Sequence, residues 1–291
     1  MEQNQLSLVL DNESKSEKND DVSLLSTLLE DSRLYRTSKE YMELLDFVGR
    51  MKRFAPFNAM LLQIQKPGLS YAATPREWLN RFNRTIKEGS RPMLIMWPFS
   101  PVELVYDVSD TEGDELPERA LDSFVAYGEV NKSDIDCLIT EIERKHIYIK
   151  YLDVGDNNCG NIKLLKSRTM VDGRRAKCYQ LGLNKNHKYA TQLVTILHEL
   201  GHLFLGHLGG DSVLKIKDRS GLSHSQVEME AESVAYVLAK RFGVDAKSEA
   251  YLSNFIEKFE ENNRLDIYKV MMAAGKVEAV VEKVLKNKVG Q

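Results

Sequence analysis

The sequence predicts an α+β protein, with a small N-terminal α+β domain followed by a mainly helical domain that contains a small sheet. Apolar residues recur at helical spacing over residues 193–205 and 226–239, which indicates two helices in the second half of the chain. Runs rich in β-branched and aromatic residues predict four short strands, at 93–98, 102–108, 146–151 and 177–183. We expect three parts, namely a flexible acidic tail at 1–31, a first domain at 32–116 and a second domain at 117–291.

The first predicted domain begins with helices and ends with a pair of strands. Residues 40–54 and 58–65 have amphipathic spacing, and the Pro-Gly pair after the second segment ends that helix. A third helix opens at Thr74 or Pro75 and contains Trp78. The two strands that follow are close in the chain, so we expect them to pair antiparallel.

Composition and cysteine usage indicate a soluble protein from a reducing compartment. Of the 291 residues, 43% are hydrophobic and 29% are charged, which is typical of globular domains. The three cysteines, Cys137, Cys159 and Cys178, form no CxxC pair and fit a reducing cytosol. The first residues lack the basic and apolar regions of a signal peptide, and no apolar stretch reaches membrane-spanning length. We therefore expect a cytoplasmic location and no membrane partner.

Charge is distributed in blocks. Residues 1–31 hold eight acids and two lysines, residues 33–91 hold twelve Lys and Arg against five acids, and residues 92–122 hold eight acids against one arginine. A basic block between two acidic ones favours a face for phosphate groups, although an ordinary solvated surface is the alternative. The candidates for contact with nucleic acid are Arg50, Lys52, Arg53, Lys66, Tyr71, Arg76, Arg81, Arg84, Lys87 and Arg91.

Aromatic rings lie among these cations, and bases can stack on such rings while Lys and Arg hold the backbone. Tyr71 and Trp97 are candidates of this kind. For Trp78 and Phe82, whose helix needs an apolar face, a place in the core is the better interpretation.

The stretch His198-Glu199-Leu200-Gly201-His202 has the HExxH pattern within the most apolar predicted helix. Positions four apart share one face of a helix, so the two imidazoles can bind one zinc ion while Glu199 takes a proton from a water on that ion. A chance match with two core histidines is the alternative. It is disfavoured because three of the six histidines fall within ten residues, and because charged groups are costly in an apolar helix.

A third zinc ligand is expected on the helix at 226–239. Glu228 and Glu232 are four apart and share a face, so we predict Glu228 as the ligand and Glu232 as the carboxylate that accepts a hydrogen bond from a ligand histidine. Glu230 points about 200° away from Glu228 and is expected to be solvated. An acidic helix N-terminus that complements the helix dipole is the alternative for all three.

His207 is the rival third ligand. The metzincin pattern places its last histidine six residues after the second, whereas His207 follows His202 by five, and Gly206 stands one place too late for the bend glycine. The glycines at 206, 209 and 210 are more simply interpreted as the end of the helix. We therefore expect His207 behind the ligands or as a cation at the helix C-terminus.

Two family resemblances follow from these residues. The stretch 198–207, with Glu228 to Ala235 downstream, is similar to the ImmA/IrrE type of metallopeptidase domain. Residues 57–67, Trp78 and residues 86–95, together with Tyr106 to Gly113, resemble the N-terminal domain of ArdC-like antirestriction proteins. The resemblance covers most of residues 35–265. The place of the family's Gly-Arg pair is taken here by Arg81-Phe82-Asn83-Arg84.

The resemblance implies a single-stranded-DNA-binding domain before a zincin-like, gluzincin-type zinc peptidase domain. It also implies a phage or plasmid antirestriction context, and cleavage of a DNA-associated regulator such as a transcriptional repressor. The alternative hypothesis is a protein that acts by covering single-stranded DNA and whose zinc site is structural. Tyr189, His224 and Tyr236 are open candidates for the group that stabilises the oxyanion.

Overall fold

The computed structural model describes residues 38–96, 102–117, 130–154, 160–169, 175–244 and 266–285. The chain forms two compact units. The first comprises Met1–Tyr35 and Asn58–Asp122, and the second comprises Arg36–Phe57 and Ser123–Gln291. The acidic tail and Trp97 lie outside the described residues, so the predictions for them stay predictions.

The first unit combines short strands with one well-capped helix. Helix α2, Pro56–Gln65, begins two residues before the second segment of this unit and continues into it. The other described elements are β1 Ala72–Ala73, α3 Pro75–Phe82, β2 Arg84–Ile86, β3 Met93–Ile95, β4 Glu103–Asp107 and β5 Thr111–Gly113. The strands pair antiparallel as β1-β4-β3 and as β2-β5, so the predicted antiparallel pairing of 93–98 with 102–108 is confirmed in shorter form. Thr74 is the N-cap of α3 and accepts a hydrogen bond from the Glu77 amide, in a capping box.

The second unit packs helices on a three-stranded sheet. Its described elements are α1 Ser38–Arg50, α4 Lys132–Glu143, β6 Ile147–Leu152, β7 Gly160–Thr169, β8 Arg175–Asn184, α5 Tyr189–Leu205, α6 His224–Arg241 and α7 Ile267–Leu285. The sheet order is β6-β8-β7, with β6 parallel to β8 and β7 antiparallel to it. The α+β prediction is confirmed. In the described ranges, every helix is too short or too polar to span a membrane.

Helix α1 lies in the second unit, whereas the sequence assigns it to the first predicted domain. An amphipathic stripe shows that one face is buried but does not identify the partner. Here Tyr41 of α1 donates a 2.8 Å hydrogen bond to Ser233 of α6, and Tyr236 of α6 donates one of 2.6 Å to Asp46. Its buried face therefore belongs to the core of the second unit.

Arg241, at the end of α6, satisfies carbonyl groups at the C-terminus of α1. Its side chain is 3% exposed, and Nη1 donates to the carbonyl oxygens of Val48 and Met51 at 2.9 and 3.1 Å. Nη2 donates to the carbonyl oxygen of Phe54 at 2.8 Å, and Nε donates to Glu278 of α7 at 2.5 Å. One buried guanidinium thus joins α1, α6 and α7.

We expect Arg241→Met to lower the free energy of unfolding by about 3–5 kcal/mol, because it removes the buried guanidinium that pairs with Glu278 and binds several carbonyl oxygens. Denaturant unfolding of the full chain measures this loss. Arg241→Met/Glu278→Met should recover part of the loss, and the exposed Arg50→Met should change stability little. Equal stability of the Arg241→Met and Arg50→Met variants would show that the guanidinium does not hold these helices together.

Candidate metal centre

The HExxH residues lie on α5, and α6 packs closely against them. Gly201 permits this approach, because a Cβ there would lie 3.2 Å from the Ala231 carbonyl oxygen and 3.3 Å from its Cα. Gly206 then ends α5 in the left-handed region, at φ 85°, where a side chain would meet the Lys217 carbonyl. The predicted end of the helix at Gly206 is thus confirmed.

His198, His202 and Glu228 converge on one point between α5 and α6. The two Nε2 atoms are 3.1 Å apart. Nε2 of His198 lies 3.5 Å from Oε2 of Glu228, and Nε2 of His202 lies 3.5 Å from Oε1 of the same carboxylate. Among the described residues, these three form the group of metal-binding side chains that could hold a divalent ion.

The donor set fits zinc in kind and in spacing. Two imidazole nitrogens and one carboxylate oxygen are a common protein ligand set for catalytic zinc. Four ligands in tetrahedral geometry at zinc's usual bond lengths are about 3.3 Å apart, and the distances of 3.1 to 3.5 Å agree with this. Three protein donors leave the fourth position open, as catalysis requires.

Glu232 orients His198 from behind. Its Oε2 lies 3.0 Å from Nδ1 of His198, so the imidazole can donate its Nδ1 proton and present the Nε2 lone pair to the point where the three side chains converge. The carboxylate is one helical turn beyond Glu228 on the same face of α6, where the sequence places it.

A longer chain of hydrogen bonds lies behind His202. Nδ1 of His202 is 3.0 Å from Nδ1 of His207, and Nε2 of His207 is 3.0 Å from Oε2 of Glu230. Arg219 then holds Glu230 with two bonds, of 2.7 and 2.6 Å. If His202 binds a metal ion through Nε2, its Nδ1–H donates a hydrogen bond to Nδ1 of His207. The proton of His207 then lies on Nε2, which donates to Glu230.

The prediction that Glu230 is solvated is wrong, since its side chain is 3% exposed. Glu230 does point away from Glu228, as predicted. However, His207 and Arg219, which both lie in the segment after Gly206, cover its carboxylate. Sequence periodicity did not indicate Arg219, because it lies in the irregular connection between α5 and α6. The backbone amide of Arg219 donates a 3.0 Å hydrogen bond to the carbonyl of Gly206, which ties this residue to the end of α5.

We expect His207→Leu to weaken zinc binding by about 10- to 100-fold, because His202 loses the acceptor that fixes its tautomer. Competition with a chelator measures the affinity, and thermal unfolding of the zinc-free chain reports any loss of fold. His207→Asn is the matched control, since its side-chain oxygen can accept the same proton and should restore most of the affinity. A Leu variant that binds zinc as tightly as the wild type would show that this chain of contacts does not support the site.

Glu199 lies beside the ligands and is largely buried. The pKa of Glu199 is raised to about 7, chiefly by burial. The charge of Glu228 adds to the rise, while His198 and the backbone N–H of Ile162, which donates to the carboxylate, oppose it. A carboxyl group that titrates near neutrality can both accept and donate a proton at physiological pH.

The two imidazoles have pKa values shifted in opposite directions. Burial lowers the pKa of His198, but its hydrogen bonds to Glu228 and Glu232 outweigh this and raise the pKa to about 10. Burial and the charge on His198 hold the pKa of His202 far below its usual range. The surrounding carboxylates thus favour a cation at the point where the two Nε2 atoms meet, as a metal site requires.

The three oxyanion candidates now differ in position. Tyr236 is 4% exposed and bound to Asp46, while Tyr189 begins α5, nine residues before His198 and so about 13 Å away along the helix axis. His224 lies one turn before Glu228, with Nδ1 3.7 Å from its Oε1, and its side chain is 88% exposed. Of the three, only His224 is near the ligands.

The residues predicted to contact nucleic acid are divided between the two units. Arg50, Lys52 and Arg53 lie in the second unit and the other seven in the first. Tyr71 does not offer an exposed ring, because it is 9% exposed and packs against Trp78 and Phe82 with ring centroids 5.3 and 5.5 Å away. The core interpretation of Trp78 and Phe82 agrees with this cluster.

Two of the cations in the first unit hold its own structure together. Lys66 pairs with Asp110 at 2.8 Å and with Asp107 at 3.1 Å. Arg84 donates to the hydroxyl and the carbonyl oxygen of Thr111, both at 2.8 Å. The remaining four of the first-unit cations are exposed, namely Arg76, Arg81, Lys87 and Arg91.

Comparison with known proteins agrees with this geometry. Residues 143–239, which contain β6 to β8, α5 and most of α6, match the family model of the IrrE N-terminal-like domain, Peptidase_M78. No curated protein sequence gives a significant match. The predicted resemblance to the ImmA/IrrE type of domain is confirmed over these residues.

Two solved structures are similar to the chain, both of the antirestriction protein ArdC from plasmid R388. The metal-free crystal structure has a TM-score of 0.39 and 16% identity, and covers 79% of this chain and 84% of its own. The Mn(II)-bound structure has a TM-score of 0.40 and 14% identity over the same shares.

Proposed function

Starting from the IrrE N-terminal-like domain at residues 143–239, we propose that the chain is a zinc-dependent endopeptidase. The observation that supports this most directly is the triangle of His198, His202 and Glu228, with the buried Glu199 beside it. These residues supply three ligands, an open position and a proton acceptor, which a structural zinc site does not need.

Each side chain has a role in peptide hydrolysis. When bound, a zinc ion supplies Lewis-acid polarisation of the scissile carbonyl and activation of water. Glu199 accepts the proton of the attacking water and delivers it to the leaving amine. Glu232 and His207 hold the ligand imidazoles in the binding tautomer. His224, on the open side of Glu228, is positioned to donate a hydrogen bond to the oxyanion.

The proposed substrates are proteins associated with DNA, in a phage or plasmid antirestriction setting, with transcriptional repressors as the first to test. The zinc-loaded full chain should cut at least one DNA-associated repressor into two defined fragments, and a chelator should prevent the cut. Intact repressors throughout a broad panel, together with intact unfolded peptides, would contradict the peptidase function.

A second function, binding of single-stranded DNA by the first unit, is favoured by its exposed cations. If Arg76, Arg81, Lys87 and Arg91 contact phosphates, replacing all four by Gln should reduce the salt dependence of binding, by up to about 3 in the log–log slope. Fluorescence anisotropy of a labelled oligonucleotide at several salt concentrations measures this.

The control for this prediction is Arg50→Gln/Arg53→Gln, which removes exposed cations from the second unit. It should leave the slope nearly unchanged if the first unit alone binds the strand. Equal slopes for the wild type and the variant with all four replacements would show that other residues contact the phosphates. Binding that survives Glu199→Gln, with no cleavage by the wild type, would favour a protective DNA-binding role.

A further inference from the structure

The three strands beside the metal centre carry positive charge only. β6, β7 and β8 contain six Lys and Arg and no Asp or Glu, although the chain as a whole has a formal net charge of −3. The six are Lys150, Lys163, Lys166, Arg168, Arg175 and Lys177. A sheet of one charge sign in an acidic protein is a feature that composition does not explain.

Among the described residues, β7 is one of the two edge strands of this sheet, and it begins beside the proposed catalytic carboxylate. A Cβ placed on Gly160 would lie 3.8 Å from Oε1 of Glu199 and closer still to Thr195 of α5. Two residues later, the backbone N–H of Ile162 donates to the Glu199 carboxylate. β7 therefore leads away from the metal centre along a strand edge, and such edges can take up an extended peptide as a further strand.

The exposed side chains of β7 include two lysines and two leucines. Lys163 and Lys166 are exposed, and Leu164 and Leu165 are 41% and 46% exposed. Lys163 lies about 10 Å and Lys166 about 20 Å along the strand from Gly160. The register shift between Leu164 and Lys166 turns this part of the strand, as bulges do.

Exposed leucines between lysines fit a polypeptide better than a nucleic acid. A peptide strand offers backbone groups to the edge and apolar side chains to the leucines, whereas a phosphate backbone matches only the lysines. In the part of the chain that the structure describes, neither Lys163 nor Lys166 forms an ion pair with a carboxylate. Carboxylates of a bound peptide would supply the negative charge for ion pairs with these two lysines.

We propose that β7 selects substrate segments that carry acidic residues on one side of the scissile bond, within roughly the first six residues from it. This inference rests on the proposed peptidase function and names the substrate class of the same site. Lys163 and Lys166 contact the acidic side chains, and Leu164 and Leu165 contact apolar side chains between them.

The test uses the zinc-loaded full chain and a pooled library of extended peptides of mixed sequence. Mass spectrometry of the products should show Asp and Glu enriched on one side of the cut by the wild type. Lys163→Glu/Lys166→Glu should remove that enrichment and lower the cleavage rate of acidic peptides by about tenfold, with neutral peptides cut as before. High salt should reduce the wild-type preference.

Lys39→Glu/Lys150→Glu is the matched control, because it makes the same charge change outside β7, with Lys150 on β6 of the same sheet. It should keep the acidic preference. Cleavage without any charge preference, or a preference untouched by the β7 variant, would overturn the proposal while leaving the peptidase function intact.

If the wild type cuts no peptide, a binding measurement tests the acidic preference of β7 separately from the peptidase function. Binding of fluorescent acidic, neutral and basic decapeptides to the zinc-loaded Glu199→Gln chain should favour the acidic peptide by about tenfold, and the β7 variant made on this background should lose that difference. Equal binding of the three peptides would overturn the proposal. Tight binding of single-stranded oligonucleotides that both Lys163→Glu/Lys166→Glu and Lys150→Glu weaken would instead identify the sheet as a nucleic-acid surface.

Discussion

Replacing Glu199 by Gln is expected to lower the rate of peptide hydrolysis by about 10²–10⁴-fold while zinc stays bound. Gln keeps the size of the side chain and its hydrogen bond from Ile162, but it cannot accept the proton of the attacking water. The measurement is single-turnover cleavage of a substrate identified with the wild type, together with the zinc content of both proteins. Glu199 is not one of the three residues that form the triangle, so zinc content should not change.

A matched control for this variant is Glu230→Gln, which makes the same chemical change at a carboxylate behind His207. It should act through metal affinity, and saturating zinc should restore most of its activity. If saturating zinc also restored Glu199→Gln, or if that variant cut at the wild-type rate, Glu199 would not be the proton acceptor.

The second large effect is expected at Glu228. Glu228→Ala removes one of the three proposed protein ligands and should weaken zinc binding by more than about 100-fold, beyond the loss typical of residues that only support a ligand. Glu232→Gln tests the distinction, because it should weaken binding by about 10- to 100-fold. Equilibrium competition with a chelator measures both variants. A larger loss for Glu232→Gln than for Glu228→Ala would exchange the roles of the two carboxylates.

Local spacing was enough to predict which side chains converge at the candidate metal centre. His198 and His202 are four apart on one helix, and Glu228 and Glu232 are four apart on the next, so each pair shares a face whatever the rest of the fold does. The approach of the two helices also has a local signal in Gly201, although its consequence for α6 could only be seen in the structure.

Long-range contacts were not predictable from the same patterns. The burial of Glu230 depends on Arg219, which reaches it from a segment whose path is set by Gly206. Tyr71 was a stacking candidate because it lies among cations in the chain, but its ring completes a cluster with Trp78. Neither partner follows from sequence periodicity, which shows that a face is buried and not what buries it.

Strand β7 was missed for a physical reason. Its sequence, GNIKLLKSRT, places two leucines side by side, which breaks the alternation that identifies a half-buried strand. The structure has a register shift at this point, and both leucines are exposed. The irregularity that hid the strand is part of the surface that we propose for substrate selection.

The most direct test of the metal centre is zinc K-edge X-ray absorption on the zinc-loaded full chain. The ligand set of His198, His202 and Glu228 predicts two imidazole nitrogens and oxygen ligands at about 2.0–2.1 Å, with no sulfur. Addition of a peptide hydroxamate should alter the oxygen shell, because one position is open to solvent. A third imidazole, a thiolate ligand or a shell that the hydroxamate leaves unchanged would contradict an open catalytic site built from these three residues.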